Sequence, residues 1–224
     1  MIGIASVTIQ EYTTKYPITM IGREAGVCWG ADTGDNSKNY KRGIDCLKSE
    51  HGRTFEFPDV YMILDGYSAR TIREWYTHIG GSPTRLQSST RYIDYKKFGY
   101  VIPPSITGAA RVVYENVMDN ISKAMQNLSE MSVPREDIAM LLSLGMTTKI
   151  VDKRNLRNLI DMSHQRMCTR AYWEYRKLFN DIYDALGEYS DEWAYIVANY
   201  FKPKCKYMGK CKEKQSCGLI ERKK

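Results

Sequence analysis

The chain has 224 residues, 43% of them hydrophobic, which is enough for a buried core, and it contains no run of about eighteen apolar residues that would span a membrane. Its net charge of +7 lies in residues 201–224, where nine Lys or Arg accompany two acidic residues, whereas residues 1–200 hold 24 basic and 24 acidic groups. Residues 1–200 are therefore neutral overall, which excludes a basic platform for nucleic acid, and we predict no membrane or nucleic-acid partner. We predict one domain over residues 1–200 and a basic tail over residues 201–224.

The start of the chain and its cysteines point to the cytoplasm. The first residues lack the basic region and long apolar stretch of a signal peptide. Cysteines in such a chain argue against a disulfide framework, and we predict that Cys28, Cys46 and Cys168 are small core residues. The other three lie in the tail at intervals of six, at Cys205, Cys211 and Cys217. Zinc ligands are usually about two to four residues apart and no fourth ligand is evident, so we predict reduced or redox-labile thiols without a bound metal, with a metal site as the alternative.

The first half of the chain contains short predicted elements. A weak alternation predicts a strand over residues 4–10, and polar residues with scattered aromatics follow over residues 11–37. An amphipathic pattern predicts a helix from Tyr40 to Glu50. Val60 to Leu64 are typical of a buried strand, which the Asp65-Gly66 pair is expected to close with a turn.

The second half of the chain is dominated by helices. Apolar residues at helical spacing predict long helices over Ala109–Met131 and Asn155–Leu186 and a last helix over Asp191–Tyr200. A short strand is predicted over Thr147–Val151, and Pro134 suits the first position of another helix. Helices predominate without βαβ alternation, which predicts an α+β fold in which long helices pack on a small mixed or antiparallel sheet.

A candidate ligand-binding loop follows a helix predicted to begin at Arg70. It contains Gly80 and Gly81, which can adopt backbone angles closed to other residues and let a ligand approach the main chain. Beyond them lie hydroxyl, amide and guanidinium donors that suit a phosphate. These donors belong to Ser88, Ser89, Thr90 and Arg91. An ordinary turn is the alternative, because Gly-Gly-Ser-Pro sequences commonly form turns.

The helix predicted from Asn155 presents a second candidate site. Its first turn has unpaired amide donors and the positive end of the helix dipole, which attract anions. At about 100° per residue, Arg157 and Asp161 lie on one side of the helix and Arg166 on the opposite side. The helix therefore offers two polar sites that face different directions, unless these are solvated side chains in weak ion pairs.

Other common catalytic patterns are missing from the sequence. The histidines His51, His78 and His164 lack the spacing of a metal site. No Gly-x-Ser-x-Gly elbow and no Walker-type loop occurs, so the sequence does not support a hydrolase or a P-loop enzyme. His78, next to the glycine loop, is either a contact for a phosphate or a flavin ring or a structural histidine.

Three ordered segments resemble the flavin-dependent thymidylate synthases. The first, from His51 to Glu56, is similar to a segment with which that family contacts its flavin. The second runs from Arg73 through His78 to Ser89-Thr90-Arg91-Tyr92, where the family has an Arg-His-Arg motif followed by Ser-x-Arg-Tyr. The third, from Asn155 to Arg176, is similar to the family's last long helix, and the whole resemblance covers about residues 20–200.

The resemblance implies FAD-dependent methylation of dUMP to dTMP, with methylene-tetrahydrofolate as carbon donor and NADPH as reductant. It also implies a homotetramer whose sites are shared between subunits. By the same resemblance Ser89 and Arg166 are the catalytic residues; Ser89 and Arg91 contact the nucleotide phosphate and Arg166 the uracil. The implied substrate-binding set is Glu74, Gln87, Ser88, Ser89, Thr90, Arg91 and Arg166. The implied cofactor-binding set is Thr54, His78, Ile79, Asn155, Arg157, Asp161 and Gln165.

The chain also departs from the family pattern. Thr77 and Ile79 occupy the places of the two arginines that flank the histidine, and about two extra residues lengthen the loop. Met140 stands where another phosphate-binding arginine is expected. Each missing arginine removes a charge-assisted contact worth about 1.5–3 kcal/mol. Arg85, or the backbone amides of the glycine loop, are candidate replacements.

Two other functions are compatible with the sequence. One keeps the fold and the flavin but changes the reaction, for example to hydroxymethylation of another pyrimidine nucleotide. The other is a protein without enzymatic activity that binds nucleic acid through the basic tail.

Overall fold

The structure, a computed structural model, describes residues 4–220, which are rich in helix and contain a small antiparallel sheet. The strands are β1 Ser6–Ile9, β2 Asp59–Ser68, β3 Thr84–Gln87 and β4 Thr147–Asn155, and their order in the sheet is β1-β2-β4-β3. The helices are α1 Pro17–Cys28, α2 Asn36–Lys48, α3 Ala69–Trp75, α4 Gly108–Glu130, α5 Arg135–Ile138, α6 Leu156–Arg166, α7 Trp173–Tyr189, α8 Asp191–Tyr200 and α9 Lys204–Met208. The predicted α+β class is confirmed.

The described chain divides into two compact units. The first unit comprises the described residues up to Ser6 together with Leu64–Thr77 and Arg85–Val151. The second unit comprises Val7–Ile63, His78–Thr84 and the described residues from Asp152 onward. None of the helices in residues 4–220 combines the length and the apolar character needed to cross a bilayer.

The core of the first unit lies under α4. Met118 and Met125 on this helix pack with Phe98, Ile138 and Met146, and all five are buried. The opposite side of α4 is exposed and partly apolar, with exposed side chains that share one stripe at helical spacing. The stripe consists of Ala110, Val113, Val117 and Ala124.

The second unit contains a helical core built on α7 and α8. Its largest buried side chains include Trp193, Phe179 and Tyr175. The indole N–H of Trp193 donates to the carbonyl of Thr14 at 2.7 Å. The carboxylate of Glu192 accepts the amide of Thr19 at 2.9 Å, which joins α8 to α1 and satisfies a buried acid.

Glycines allow α1 and α2 of the second unit to pack closely. A Cβ added at Gly22 would lie 1.8 Å from the carbonyl oxygen of Asn39, and one at Gly43 would lie 2.0 Å from that of Ile18. Because both obstacles are backbone atoms, a larger side chain requires the helices to separate. Helix α1 was not predicted from the sequence, because the glycines within the helix weaken its pattern of apolar residues.

A methyl group at Gly22 is therefore expected to destabilise the protein. We predict that Gly22→Ala lowers the free energy of unfolding by about 1–3 kcal/mol, the usual cost of overpacking, in urea denaturation. Gly187→Ala is the matched control, because Gly187 is also helical and its added Cβ meets only a side-chain methyl at 3.7 Å. The control should be neutral or slightly stabilising, since alanine favours helix over glycine. Equal stability of the two variants would refute close packing at Gly22.

Several predicted boundaries differ from the structure. The helix expected over Asn155–Leu186 is two helices, α6 and α7, because Arg176 donates to the carbonyls of Thr169 and Ala171 at 2.9 and 2.6 Å and holds the chain in a turn between them. This turn contains neither proline nor glycine, so the sequence carries no signal for it. The turn expected at Asp65-Gly66 was also wrong, because β2 continues through it with Gly66 at a φ of +77°.

Other predictions were confirmed or corrected. The helix over Asp191–Tyr200 has the predicted limits, and β4 extends the strand predicted over Thr147–Val151. Strand β3 lies within a stretch predicted as loop. Cys46 is buried as expected, whereas Cys28 is exposed and Cys168 only partly buried, so these two are not core residues.

Candidate active site

His78 lies at the centre of a polar cluster in the second unit. The Nε of Arg166 donates a hydrogen bond to Nε2 of His78 at 2.9 Å. An acceptor nitrogen carries no proton, so the ring is neutral with its proton on Nδ1. The guanidinium of Arg166 also lies 4.6 Å from the centre of the Tyr175 ring, and the His78 ring meets the same ring edge-on at 6.2 Å. Two aromatic rings thus fix the orientation of Arg166 at the end of α6.

A buried ion pair supports this cluster from β4. Nε of Arg154 lies 2.6 Å from Oδ2 of Asp152, and both side chains are fully enclosed. The Nη1 of Arg154 donates to the backbone carbonyl of His78 at 2.9 Å and to the Asn158 side chain at 2.7 Å. The sequence reading missed both residues. Their separation by two positions on a strand, which places both on one face, is the signal that could have revealed the pair.

The glycine loop lies against the start of α6. A Cβ added at Gly81 would stand 2.4 Å from Nδ2 of Asn155, and Gly81 has a φ of +72°, so only glycine fits here without strain. The side-chain oxygen of Asn155 accepts the amide of Asn158 at 2.9 Å and caps the helix. Gly80 and Gly81 therefore allow the loop to lie close to the first turn of α6.

The surroundings of His78 keep its ring neutral. Burial, followed by the positive charges of Arg166 and Arg154, lowers the pKa of His78 from 6.5 to about 4. A neutral imidazole can accept the hydrogen bond from Arg166 across the whole range of ordinary pH. Protonation would remove that acceptor and place a third positive charge in the cluster.

The depressed pKa predicts a specific loss of stability in acid. The free energy of unfolding should fall as the pH is lowered from about 6.5 to about 4, because the unfolded chain binds a proton at His78 that the folded chain does not. Above that range the ring is neutral in both states and contributes nothing to the slope. His164, whose pKa is also lowered by burial, adds to the slope in the same direction.

Urea denaturation at several pH values checks this expectation. His78→Gln should reduce the slope between about pH 6.5 and 4. An identical slope in wild type and His78→Gln would show that His78 titrates normally in the folded protein.

A separate cavity of about 240 Å³ opens beside α6 in the second unit. Its lining consists of Leu47, Glu50, Gly52, Phe55, Arg157, Ile160, Asp161, His164, Tyr200 and Tyr207. Arg157 forms an ion pair with Glu56 at 2.6 Å, and its guanidinium lies against Gly52, where an added Cβ would be 3.6 Å away. Nε2 of His164 is buried and has no hydrogen-bond partner within residues 4–220. The cavity thus offers the guanidinium of Arg157 and two carboxylates, those of Glu50 and Asp161.

The predicted cofactor residues are distributed over this unit. Arg157 and Asp161 line the cavity, whereas His78 and Asn155 lie in the His78 cluster. Thr54 is buried, and its hydroxyl donates to the carbonyl of His51 at 2.8 Å. Two other members of the set are exposed, and these are Ile79 and Gln165.

Except for Arg166, the predicted substrate residues belong to the first unit. Nε2 of Gln87 donates to the Thr148 hydroxyl at 3.2 Å, and the amide of Ser88 donates to the carbonyl of Lys149 at 2.9 Å, so β4 positions the start of the loop. The Ser89 hydroxyl accepts the amide of Arg91 at 3.1 Å. The remaining members are Glu74, partly buried on α3, and Thr90, which is exposed.

Arg91 is the exposed cation of this loop. Its Nε lies 3.0 Å from the carboxylate of Glu136, and its side chain is 66% exposed. Such a pair contributes little to stability and can be exchanged for another anion. Arg85, the candidate replacement for the missing arginines, instead donates to the carbonyl of Tyr76 at 3.0 Å and lies over that residue's ring.

Comparison with known proteins gives one consistent result. The family model for the Thymidylate synthase complementing protein matches residues 10–189. The flavin-dependent thymidylate synthase of Nitratidesulfovibrio vulgaris is 28% identical over 184 residues, covering 77% of this chain and 73% of the relative. The corresponding protein of Thermotoga neapolitana is 27% identical over 191 residues, covering 82% and 80%.

The fold agrees with a solved structure of the same kind. The crystal structure of thymidylate synthase X from Helicobacter pylori with FAD and dUMP superimposes with a TM-score of 0.66 at 17% sequence identity, covering 87% of this chain and 99% of that chain. Since the family model spans most of the sequence, this chain belongs to the flavin-dependent thymidylate synthase family.

Proposed function

We propose that this protein catalyses the FAD-dependent reductive methylation of dUMP to dTMP in the cytoplasm, with methylene-tetrahydrofolate as carbon donor and NADPH as reductant. Residues 1–200 form the catalytic part in this proposal, and residues 201–224 form a tail. Family membership and the FAD and dUMP bound to the H. pylori relative support the choice of cofactor and nucleotide.

The fixed orientation of the Arg166 guanidinium is the observation that supports the proposal most strongly. Its guanidinium is oriented by His78 and Tyr175, so a planar, permanently charged donor is held in one position. Directed at a uracil carbonyl, it would stabilise negative charge that develops on the ring. The neutral state of His78 is part of this role, because only an unprotonated Nε2 can accept from Arg166.

The first unit supplies groups for the nucleotide phosphate. Arg91 offers a charge-assisted donor and Ser89 a hydroxyl, and both lie on an exposed loop fixed at its start by β4. Ser88 and Thr90 add donors to the same loop, with Glu74 and Gln87 as further contacts to the nucleotide. In this proposal Ser89 is a catalytic residue only in the sense that it touches the substrate.

The second unit has a donor set that fits FAD. Arg157 suits a phosphate and Asp161 can accept from a hydroxyl, and both line the cavity beside α6. His164 presents a buried nitrogen that lacks a partner among residues 4–220. Thr54, His78, Ile79, Asn155 and Gln165 complete the proposed cofactor set. When bound, the flavin supplies the hydride that reduces the transferred carbon.

We also propose a homotetramer in which each site combines residues of more than one chain. The cavity beside α6 measures about 240 Å³, whereas sites for larger ligands usually measure about 300–1,000 Å³. The exposed apolar stripe of α4 offers a surface for helix packing between chains. Its two valines, Val113 and Val117, lie about 40° apart on the helix.

The proposed contact between Arg91 and the nucleotide can be tested by comparing a variant of Arg91 with a variant of Glu136, its ion-pair partner. Arg91→Ala should raise the KM for dUMP about ten- to a hundredfold, the value of a charge-assisted contact, without reducing FAD binding. Glu136→Gln should leave the KM unchanged or lower it, because it frees Arg91 from its ion pair. Steady-state kinetics would decide, and an unchanged KM in Arg91→Ala would remove this residue from the nucleotide site.

Flavin binding is the first experimental test of the proposed function. The purified protein should take up FAD in a stoichiometric titration, and addition of dUMP should change the flavin absorbance. An Arg157→Ala variant should bind FAD more weakly, whereas Arg23→Ala, at an exposed arginine of α1, should not. Protein that takes up no FAD under these conditions would overturn the proposal.

A further inference from the structure

Four of the six cysteines line a single cavity of about 230 Å³ in the second unit. Cys168 follows the end of α6, Cys205 lies in α9, and Cys211 and Cys217 lie in the irregular chain beyond it. The four cysteines therefore border the same space. Cys168, 37 positions upstream of Cys205, thus adds a fourth thiol to the three of the tail.

Polar contacts hold the tail against the turn after α6. Nη2 of Arg170 donates to the carbonyl of Gln215 at 3.0 Å, and Thr169 and Cys217 line the same cavity. The intervening chain cannot be held by a hydrophobic core. Residues 209–218, GKCKEKQSCG, contain no apolar side chain other than the two cysteines.

The charges around the cavity suit thiolates. Arg170, Lys204, Lys210 and Lys212 line it together with a single acid, Glu213. A divalent ion bound by four thiolates carries a net charge of −2, which such cations offset. An inorganic anion would also be attracted by these cations, but it would leave the convergence of four thiols unused.

We propose that Cys168, Cys205, Cys211 and Cys217 bind a thiophilic metal ion, Zn²⁺ in the first instance, that fixes the tail to the end of α6. Four sulfur ligands are the donor set of structural zinc and of iron–sulfur centres. Within residues 4–220 no three such side chains already stand at coordinating distances, so binding draws the sulfurs together. The irregular chain around Cys211 and Cys217 permits that movement, and the energy of metal binding replaces the missing core.

The cysteine cavity borders the proposed cofactor site, because His164 and Gln165 also line it. Cys168 is two residues beyond Arg166, so the metal would fix the chain at the point where α6 ends. The inference rests on the cysteines and their cavity, and it holds whether or not the protein methylates dUMP. It replaces the prediction of reduced, metal-free thiols made from the spacing of the tail alone.

Metal analysis of the full-length protein tests the proposal. Protein produced with added Zn²⁺ and purified with a phosphine reductant and no chelator should hold about one metal ion per chain. Cys168→Ser and Cys211→Ser should each lower the metal content at least about tenfold, while Cys28→Ser, at an exposed cysteine outside the cavity, should retain it. Replacement by Co²⁺ should give thiolate charge-transfer bands that are absent in Cys168→Ser.

Each alternative occupant has its own signature. Iron with acid-labile sulfide, lost in Cys168→Ser, supports the same four-thiolate centre with a different metal. Folded protein with no bound metal and with the four thiols open to alkylation would overturn the proposal. So would disulfide bonds among these cysteines in the non-reduced protein, or metal retained in full by Cys168→Ser. Circular dichroism of each variant confirms that loss of metal is measured on folded chains.

Discussion

Arg166→Ala is expected to lower kcat about 10²–10³-fold, the usual effect of removing one donor that stabilises developing negative charge. The variant should remain folded, because Arg166 is only partly buried and its loss leaves a neutral ring behind. Removal of the donor to His78 should cost about 1 kcal/mol of stability, measured by thermal denaturation. Flavin absorbance should show that the variant still binds FAD.

Two further variants show whether kcat depends on the geometry of the Arg166 side chain or only on its charge. Arg166→Lys keeps a positive charge but loses the planar fork that stacks on Tyr175, so it should restore little of the rate. Arg23→Ala, at an exposed arginine of α1, should leave kcat unchanged. A rate near that of the wild type in Arg166→Ala would exclude Arg166 from catalysis and with it the proposed mechanism.

Asp152→Asn is expected to lower the free energy of unfolding by about 3–5 kcal/mol, the largest loss of stability that we predict. Removal of the carboxylate leaves the charge of Arg154 fully buried without its ion-pair partner. Because Arg154 also donates to the His78 carbonyl, the ion pair orients the loop that carries His78. Urea denaturation at pH 7 measures the loss.

The neighbouring residue on β4 provides a control on the same strand. Lys153 pairs with Asp59 at 2.7 Å with both side chains partly exposed, so Lys153→Ala should cost less than about 1 kcal/mol. The double replacement of Asp152 by Leu and Arg154 by Met removes both charges and should recover much of the stability lost in Asp152→Asn. A loss below about 1 kcal/mol in Asp152→Asn would show that the buried pair is not what supports the loop.

The sequence predicted those elements that local patterns specify. Helix α8 begins after Ser190, whose hydroxyl accepts the amide of Trp193 at 3.3 Å, and both predicted limits are correct. Helix α4 was found from its apolar spacing. The break between α6 and α7 was not, because it depends on the Arg176 side chain reaching back to two carbonyls, a contact that no local pattern encodes.

The residues of the candidate site likewise divide into those that the sequence predicted and those that only the fold reveals. The polar residues of α6, including Arg157, Asp161 and Arg166, could be named from helix periodicity and family resemblance. The hydrogen bond between Arg166 and His78 joins residues 88 positions apart, and only the fold reveals it. The Asp152–Arg154 pair was overlooked because a charged strand residue is ordinarily solvated, and its burial depends on the packing of the whole unit.

Identification of the product tests the central claim most directly. Protein loaded with FAD is incubated with dUMP, methylene-tetrahydrofolate and NADPH, and the nucleotide is analysed by mass spectrometry. Conversion of dUMP to dTMP, a gain of one methylene unit, is the predicted result, and it should be lost in Arg166→Ala. Unchanged dUMP, or a product that has gained a hydroxymethyl group instead of a methyl group, would contradict the proposed reaction.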